Sequence, residues 1–253
     1  MVSSNPTEGT NKNLSMYSIK INTDRGILEL NYSNFENLRQ YVRYQILYLY
    51  GVSEQDFHTE LSAVLQRQWD RKVKLNAFNF DKKVNVLDIG SGVGFFDILL
   101  SKYLNNGSRF YLVDESRFTP VKTQFKSQES FYNDWSVFED LIKHSNVSRD
   151  DFTLLSTTEE WPEKLDMIMS NHSYMFHYPK ELYWDKVIQR VNSNKCRLAF
   201  DVLNLKDQDV VGEITAETGL SCNIIEHKFS PEVAWKDELY IVDGNYARSC
   251  SWI

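Results

Sequence analysis

The sequence predicts an α/β protein: a doubly wound, seven-stranded, mostly parallel sheet with an antiparallel C-terminal strand, preceded by an N-terminal helical cap. Three observations carry this expectation. From Val84 onward, short apolar runs alternate with segments of helical period. The first such run, Val84-Asn85-Val86-Leu87-Asp88, breaks into Ile89-Gly90-Ser91-Gly92-Val93-Gly94 and then into the apolar helix start Phe95-Phe96. The last two apolar runs have no helical segment between them, so they pair as a hairpin and give the sheet one antiparallel member.

Taken in order, residues 1–15 are polar, rich in Ser, Asn and Thr, and without period. They have too little to bury to offset the entropy of ordering and read as a disordered tail. Residues 16–80 read as the cap. Tyr17–Ile21 alternates like a short strand and leads into the turn Asp24-Arg25-Gly26. From Asn34 the period becomes helical, with Phe35, Leu38, Val42, Ile46 and Leu49 on one stripe and Gly51 as the stop. Ser53 then caps a second helix whose stripe is Phe57, Leu61, Leu65 and Trp69. Residues 81–253 read as the main domain. Strands are expected at Val84–Ile89, Arg109–Val113, Phe152–Leu155, Leu165–Ser170, Arg197–Val202, Cys222–Lys228 and Glu238–Val242. Helices are expected at Phe95–Leu104, Pro120–Ser130, Trp135–Lys143, Lys180–Val191 and Asp207–Thr218.

The chain has 253 residues and a net charge of −7, with 28 basic side chains against 35 acidic ones. Such a balance repels a phosphate backbone and disfavours nucleic acid as a partner. Cys196, Cys222 and Cys250 lack any C-x-x-C spacing, so neither a disulfide framework nor a zinc site is expected. No apolar run reaches the ~20 residues of a membrane span, and the N-terminus has no signal-peptide core. A cytoplasmic protein without a membrane partner is the expectation.

Strand, glycine turn and helix together make a nucleotide-site hypothesis. Glycine permits positive φ and lets other atoms approach where a Cβ would stand. A dinucleotide site wants G-x-G-x-x-G, but here glycine recurs at every second position and Phe95 stands where the third glycine belongs. Asp88, at the strand end, repels a pyrophosphate and suits an ammonium group. The turn resembles the first motif of the class I S-adenosylmethionine-dependent methyltransferases, in which an acid precedes alternating glycines. That resemblance implies the class I methyltransferase fold and S-adenosyl-L-methionine as cofactor. It assigns the methionine part to Asp88 and the turn Gly90, Ser91, Gly92 and Gly94. The next strand ends in Asp114, roughly twenty residues past Gly94. An acid at that place accepts hydrogen bonds from ribose hydroxyls, with Glu115 as an alternative acceptor. In the Ser156-Thr157-Thr158-Glu159 segment, Thr157 is expected among the adenine contacts, while Thr158 is equally suited to capping a helix. Asn171, after the fourth strand, completes the expected cofactor set.

Methyl transfer is an in-line displacement, so the protein must align the acceptor and make it electron-rich. His172 is the preferred general base and His177 the reserve, both in the loop after the fourth strand. A His in such a loop also serves by packing or by bonding a carbonyl. Asp201 is placed to orient that His or to help hold a metal, and no metal is expected. Tyr174, Phe176, Tyr178, Tyr183 and Trp184 crowd the same region, about half of them expected in the core and the rest suited to stacking on an acceptor. The expected acceptor is a small molecule, with a sugar or sugar-like hydroxyl as the leading class. The lid layout is also similar to that of sugar O-methyltransferases. Tyr41, Tyr44, Tyr48 and Tyr50 extend the first cap helix beyond one stripe, towards either the main domain or a partner in a homodimer. Arg39, Arg43, Arg67 and Arg71 suit an acidic acceptor or plain solvation. The rivals are a non-catalytic binding protein of the same fold and an NAD(P)-dependent oxidoreductase.

Overall fold

Tyr17–Thr23 (β1) and Gly26–Tyr32 (β2) form an antiparallel hairpin in which Tyr17 faces Tyr32. The computed structural model describes residues 16–39, 53–114, 119–123, 126–131, 134–171, 173–174, 180–203, 209–228 and 246–252. The hairpin contains the short strand and turn expected at Tyr17–Ile21 and Asp24–Gly26 and adds a second strand that the helical reading of the cap did not include. Leu28, Leu30 and Tyr32 alternate with Glu29 and Asn31, a strand period that continues past the turn. Residues 35–39 are helical and bury Phe35 and Leu38, while the remainder of that predicted helix, with Tyr41 to Tyr50, lies outside the described residues. Helix α1 (Glu54–Lys74) starts where expected, the Ser53 side chain accepting from the Asp56 amide. Its stripe of Phe57, Leu61, Leu65 and Trp69 is buried.

Helix α1 also closes the outer edge of the hairpin. The Lys20 amide donates to Ser62 Oγ at 3.1 Å and the Asn22 amide to Gln66 Oε1 at 2.6 Å, while Gln66 Nε2 returns a bond to the Asn22 carbonyl. An edge strand whose amides are taken by helix side chains offers no template for further pairing. On the other side, the Ser33 amide and hydroxyl donate to the Asp140 carboxylate at 2.7 and 2.6 Å.

The central sheet is built from β3 (Asn85–Ile89), β4 (Arg109–Val113), β7 (Phe152–Leu155), β8 (Met167–Ser170), β9 (Arg197–Leu203), β10 (Cys222–Lys228) and β11 (Tyr246–Trp252). Their order is β10-β11-β9-β8-β3-β4-β7. Strands β9, β8, β3, β4 and β7 pair in parallel, and β11 pairs antiparallel with both β9 and β10. This is the seven-stranded, mostly parallel sheet with an antiparallel C-terminal strand that the sequence predicts. The expected strand Glu238–Val242 lies outside the described residues, and the antiparallel member is Tyr246–Trp252. Its sequence, Tyr-Ala-Arg-Ser-Cys-Ser-Trp, has little apolar alternation to announce it.

Helices α2 (Phe95–Leu104), α3 (Trp135–His144), α4 (Trp184–Asn194) and α5 (Val210–Thr218) carry the crossovers. The predicted helix Pro120–Ser130 is instead a second hairpin, β5 (Thr119–Thr123) and β6 (Lys126–Phe131). The physical reason is local: Pro120, Thr119, Val121 and Thr123 are poor helix residues, and the segment has no apolar stripe at helical spacing. The sheet separates two cores. One joins Ile19, Leu30, Leu61 and Trp69 to Val86, Phe110 and Met169 under α1, α2 and α3. The other joins Leu87, Ile168 and Phe200 to Tyr183, Val187 and Ile214 under α4 and α5. From β3 the chain steps to β4 and β7 on one side, then returns to β8 and β9 on the other. The reversal falls between β3 and β8, and the crevice beyond their carboxyl ends is where open α/β sheets bind ligands.

Candidate functional site

The glycine turn sits at that reversal. Gly90, Gly92 and Gly94 all have positive φ, at 72°, 60° and 69°. The turn is tied to β4: Gly90 N donates to the Val113 carbonyl at 2.7 Å, Ser91 N to the same oxygen at 3.4 Å, and Gly92 N to Asp114 Oδ2 at 2.6 Å. Gly94 N donates back to the Ser91 carbonyl at 3.1 Å, and the Gly94 carbonyl accepts from Ile98 N to start α2. These four amides therefore have acceptors within the protein. What the turn presents instead is side-chain chemistry.

The space left by two of the glycines is also filled by the protein. A Cβ on Gly90 would collide with Cβ and Oγ of Ser173, from the loop after β8, and one on Gly94 would lie 2.8 Å from Leu112 Cδ2 and 3.0 Å from Phe138 Cδ2. Ser170 locks that loop in place: its hydroxyl donates to the Ile89 carbonyl at 2.8 Å and accepts from the Tyr174 amide at 2.9 Å. Gly90→Ala is therefore expected to lower stability by about 2–3 kcal/mol, from left-handed strain plus overpacking. Gly219→Ala, at φ 68° with nothing within 4 Å, carries the strain alone and should lose about half as much. Thermal unfolding of both variants, and of Gly90→Ala/Ser173→Gly, separates the two contributions. A Gly90→Ala protein no less stable than Gly219→Ala would contradict the contact.

Around this turn several buried polar atoms lack a protein hydrogen-bond partner: Asp88 Oδ1, Ser91 Oγ, and both Oδ1 and Nδ2 of Asn171. A buried polar group without a partner costs stability unless something else satisfies it. Asp88, Ser91 and Asn171 are three of the residues the sequence assigned to the cofactor, and they come from the two strands flanking the reversal. Such a set can accept from an ammonium group and exchange hydrogen bonds with hydroxyls.

Beneath the turn lies a charged cluster in which Asp88, Asp201 and Arg71 were candidates from the sequence and Asp97 and Lys72 were not. Asp88 is 2% exposed and faces Asp97, 1% exposed, in the first turn of α2. Burial, then the neighbouring Asp97, pushes the Asp88 carboxyl well above the usual carboxylate range, and burial pushes Asp97 to about 7. Lys72, on α1, is completely buried and donates to Asp201 Oδ1 at 3.2 Å at the far end of β9. Arg71 is half-buried beside it, its guanidinium facing Asp201, and burial lowers its pKa. Lys72 follows Trp69 by three residues and so lies on the apolar stripe of α1, which was the available signal for a buried charge.

The other expected residues separate. Asp114 is nearly buried and bonded to Gly92. Thr157 sits in a turn closed by the Ser156 amide on the Glu159 carboxylate, and no helix follows for Thr158 to cap. Glu115, His172, His177, Phe176, Tyr178 and Arg43 lie outside the described residues. Tyr174 and Tyr183 are core: both are buried against each other, and the Tyr174 hydroxyl donates to the Lys180 carbonyl at 2.5 Å. These two belong to the half of the aromatics expected in the core. Trp184 is held by Glu217 and by the Lys180 ammonium over its ring. Asp201 is paired with Lys72. Cys196 is buried, its thiol pushed up to about 12, which leaves it inert as a nucleophile. Among the described residues no cluster of three or more His, Cys, Asp or Glu is arranged for a metal, and no helix is long and apolar enough to cross a membrane.

No protein-family model matches the sequence, and no curated protein matches it. Solved structures do match. Magnesium protoporphyrin IX methyltransferase from Synechocystis, crystallised with bound S-adenosylmethionine, is 16% identical, with 86% of this chain and 95% of that one covered and a TM-score of 0.47. Precorrin-6y C5,15-methyltransferase from Geobacter metallireducens is 13% identical over 74% of this chain and 88% of that one, at a TM-score of 0.47. A Pyrococcus horikoshii protein provisionally described as an RNA methyltransferase is 12% identical over 76% and 83%, at 0.48. The strand order, the single antiparallel strand at β11 and the glycine turn at the reversal give this chain the fold of the class I S-adenosylmethionine-dependent methyltransferases.

Proposed function

We propose that the protein is an S-adenosylmethionine-dependent methyltransferase acting on a small-molecule acceptor, with a hydroxyl as the nucleophile. The observation that carries the first half is the set of buried, unpartnered atoms on Asp88, Ser91 and Asn171 around a turn of alternating glycines. A dinucleotide site fits poorly, because a pyrophosphate would approach the buried acids Asp88, Asp97 and Asp114. When bound, S-adenosylmethionine supplies an electrophilic methyl on a positively charged sulfur. The work of this chain is to orient and enclose it. Asp88 takes the ammonium end, Asp114 is held by Gly92 at the position suited to the ribose, and Asn171 offers both a donor and an acceptor across the reversal. His172, the sequence neighbour of Ser173, is the residue we assign as general base, with His177 in reserve.

The acceptor assignment rests on the net charge of −7, which opposes a polyanionic substrate, and on the paired histidines of that loop. A sugar-like hydroxyl remains the leading class. The solved structures with this fold include proteins described as acting on porphyrinoids and on RNA. A pool of sugar, porphyrinoid and RNA acceptors is therefore the right turnover assay, with release of S-adenosylhomocysteine as readout.

Calorimetry tests the cofactor. S-adenosylhomocysteine should bind and NADH should not. Asp88→Asn should weaken S-adenosylhomocysteine about 10- to 100-fold, the value of one charge-assisted hydrogen bond, without loss of stability. Unchanged affinity in that variant would dismiss Asp88 as the ammonium ligand. Binding without turnover of any acceptor would favour a non-catalytic protein of this fold.

A further inference from the structure

Asp97 has no part in the functional assignment above, yet it is buried as deeply as any catalytic group. It belongs to the first turn of α2, where an acid is favoured by the helix dipole, but it does not cap the helix: Gly94 occupies the cap, and the Asp97 carboxyl is met by its own amide and by Asp88. Its carboxyl instead meets that of Asp88, the two close enough to share a hydrogen bond. The two carboxyls thus sit in the interior with no side-chain donor but each other. Two ionised carboxylates cannot be held in contact there, whereas a carboxyl and a carboxylate sharing one proton can.

We propose that cofactor binding at this site exchanges a proton: Asp88 and Asp97 hold one proton between them, and the ammonium group of the cofactor's methionine part takes its place. The inference rests on the cofactor reading above and adds Asp97 as its second acid. The proton leaves to solvent, the ammonium arrives already charged, and the pair passes from one negative charge to two, offset by the incoming cation.

The surrounding charges agree with this exchange. From α1, Lys72 faces Asp88 but gives its hydrogen bonds to Asp201 and the Ala199 carbonyl, so it does not donate to the pair. Arg71, also from α1, faces Asp201 on β9. From the end of β4, Asp114 adds negative charge and opposes a second ionisation. From β8, the residue beside Asp88 is Met169, which is neutral. Burial raises both acids of the pair, Asp97 to about 7, and the Asp97 charge pushes Asp88 further above the carboxylate range, so one proton stays on the pair once Asp97 has ionised. A pair that only tied α2 to β3 would keep its proton when ligand binds.

The experiment is titration calorimetry of S-adenosylhomocysteine into the full chain at pH 8, where Asp97 has ionised and the pair keeps one proton, in buffers of low and high ionisation enthalpy. About one proton should be released per ligand bound. Affinity should rise about tenfold per pH unit around pH 8. 5′-Methylthioadenosine, which has the nucleoside and thioether but no ammonium, should bind with no proton released. Asp97→Asn should release less, its exchange displaced to lower pH. Release of a proton by both ligands, or by neither, overturns the proposal while leaving the cofactor reading intact. Failure of S-adenosylhomocysteine to bind at any pH removes both.

Discussion

Lys72→Met is expected to lower the unfolding free energy by about 3–5 kcal/mol, the cost of leaving a buried carboxylate without its cation. Lys72 and Asp201 are both fully buried, and the ammonium lies 3.2 Å from the carboxylate. Each charge entered the interior only because the other was there, since desolvating either alone is prohibitive. Methionine matches the lysine stem in length and leaves the apolar contacts of α1 with Trp69 and its neighbours in place. The half-buried Arg71 also faces Asp201, which should hold the loss towards the lower end of that range. Lys72→Met/Asp201→Leu should recover most of the loss, because an apolar pair of similar volume needs no mutual neutralisation. Urea unfolding with an unchanged m-value is the measurement. A loss below about 1 kcal/mol for the single variant would show that Asp201 is adequately held without Lys72.

Asp97→Asn should act in the opposite direction and should do so only above acid pH. Asp97 has an ordinary value of 3.8 and is raised to about 7 in the fold by burial, and Asp88 is raised as well. Between about pH 4 and 7 the folded protein keeps a proton that the unfolded chain has released. Protons then favour folding, and the stability owed to this group is lost as pH climbs from about 4 through 7. Asparagine carries no charge to titrate, and its amide donates to the Asp88 carboxylate. The variant should therefore be more stable than the parent at pH 8 by roughly 3–4 kcal/mol, a shift of about three pKa units expressed as free energy. Near pH 4 the difference should nearly vanish. Parallel urea titrations at pH 4.5 and 8 decide it, and identical pH profiles for the two proteins would mean that Asp97 ionises as an ordinary carboxylate.

Both results concern groups at the junction of α1, α2 and the sheet, where the sequence was least informative. Asp88 was legible because its position before Gly90 is a strand-end position in a run that reads unambiguously as β. Asp97 was not, because an acid in the first turn of a helix is ordinarily a solvated dipole partner. Lys72 stood on the apolar stripe of α1, three residues past Trp69, but its partner Asp201 is 129 residues away and only the packed fold brings them together. The strands β4, β7 and β10 and helix α2 fall at their predicted bounds, since each is a single strong local pattern. The segment Pro120–Ser130 pairs as strands and not as the helix that the α/β alternation suggests, because Pro120 and the β-branched Thr119, Val121 and Thr123 disfavour a helix. The glycines were correctly read as turn formers, but the atoms occupying the space at Gly90 and Gly94 are Ser173, Leu112 and Phe138.

By itself the sequence determined the alternating α/β architecture and the glycine turn between β3 and α2, because each follows from periods and special backbone conformations within a few residues. Only the tertiary structure decided that the turn amides bond to β4, that Tyr174 and Tyr183 belong to the core, and that Asp88 is backed by Asp97 with Lys72 and Asp201 beside it. Those facts depend on which side chains meet across the sheet and on how much water is excluded where they meet. Burial turns a carboxylate from a solvated charge into a proton carrier, and burial is a property of the packed chain.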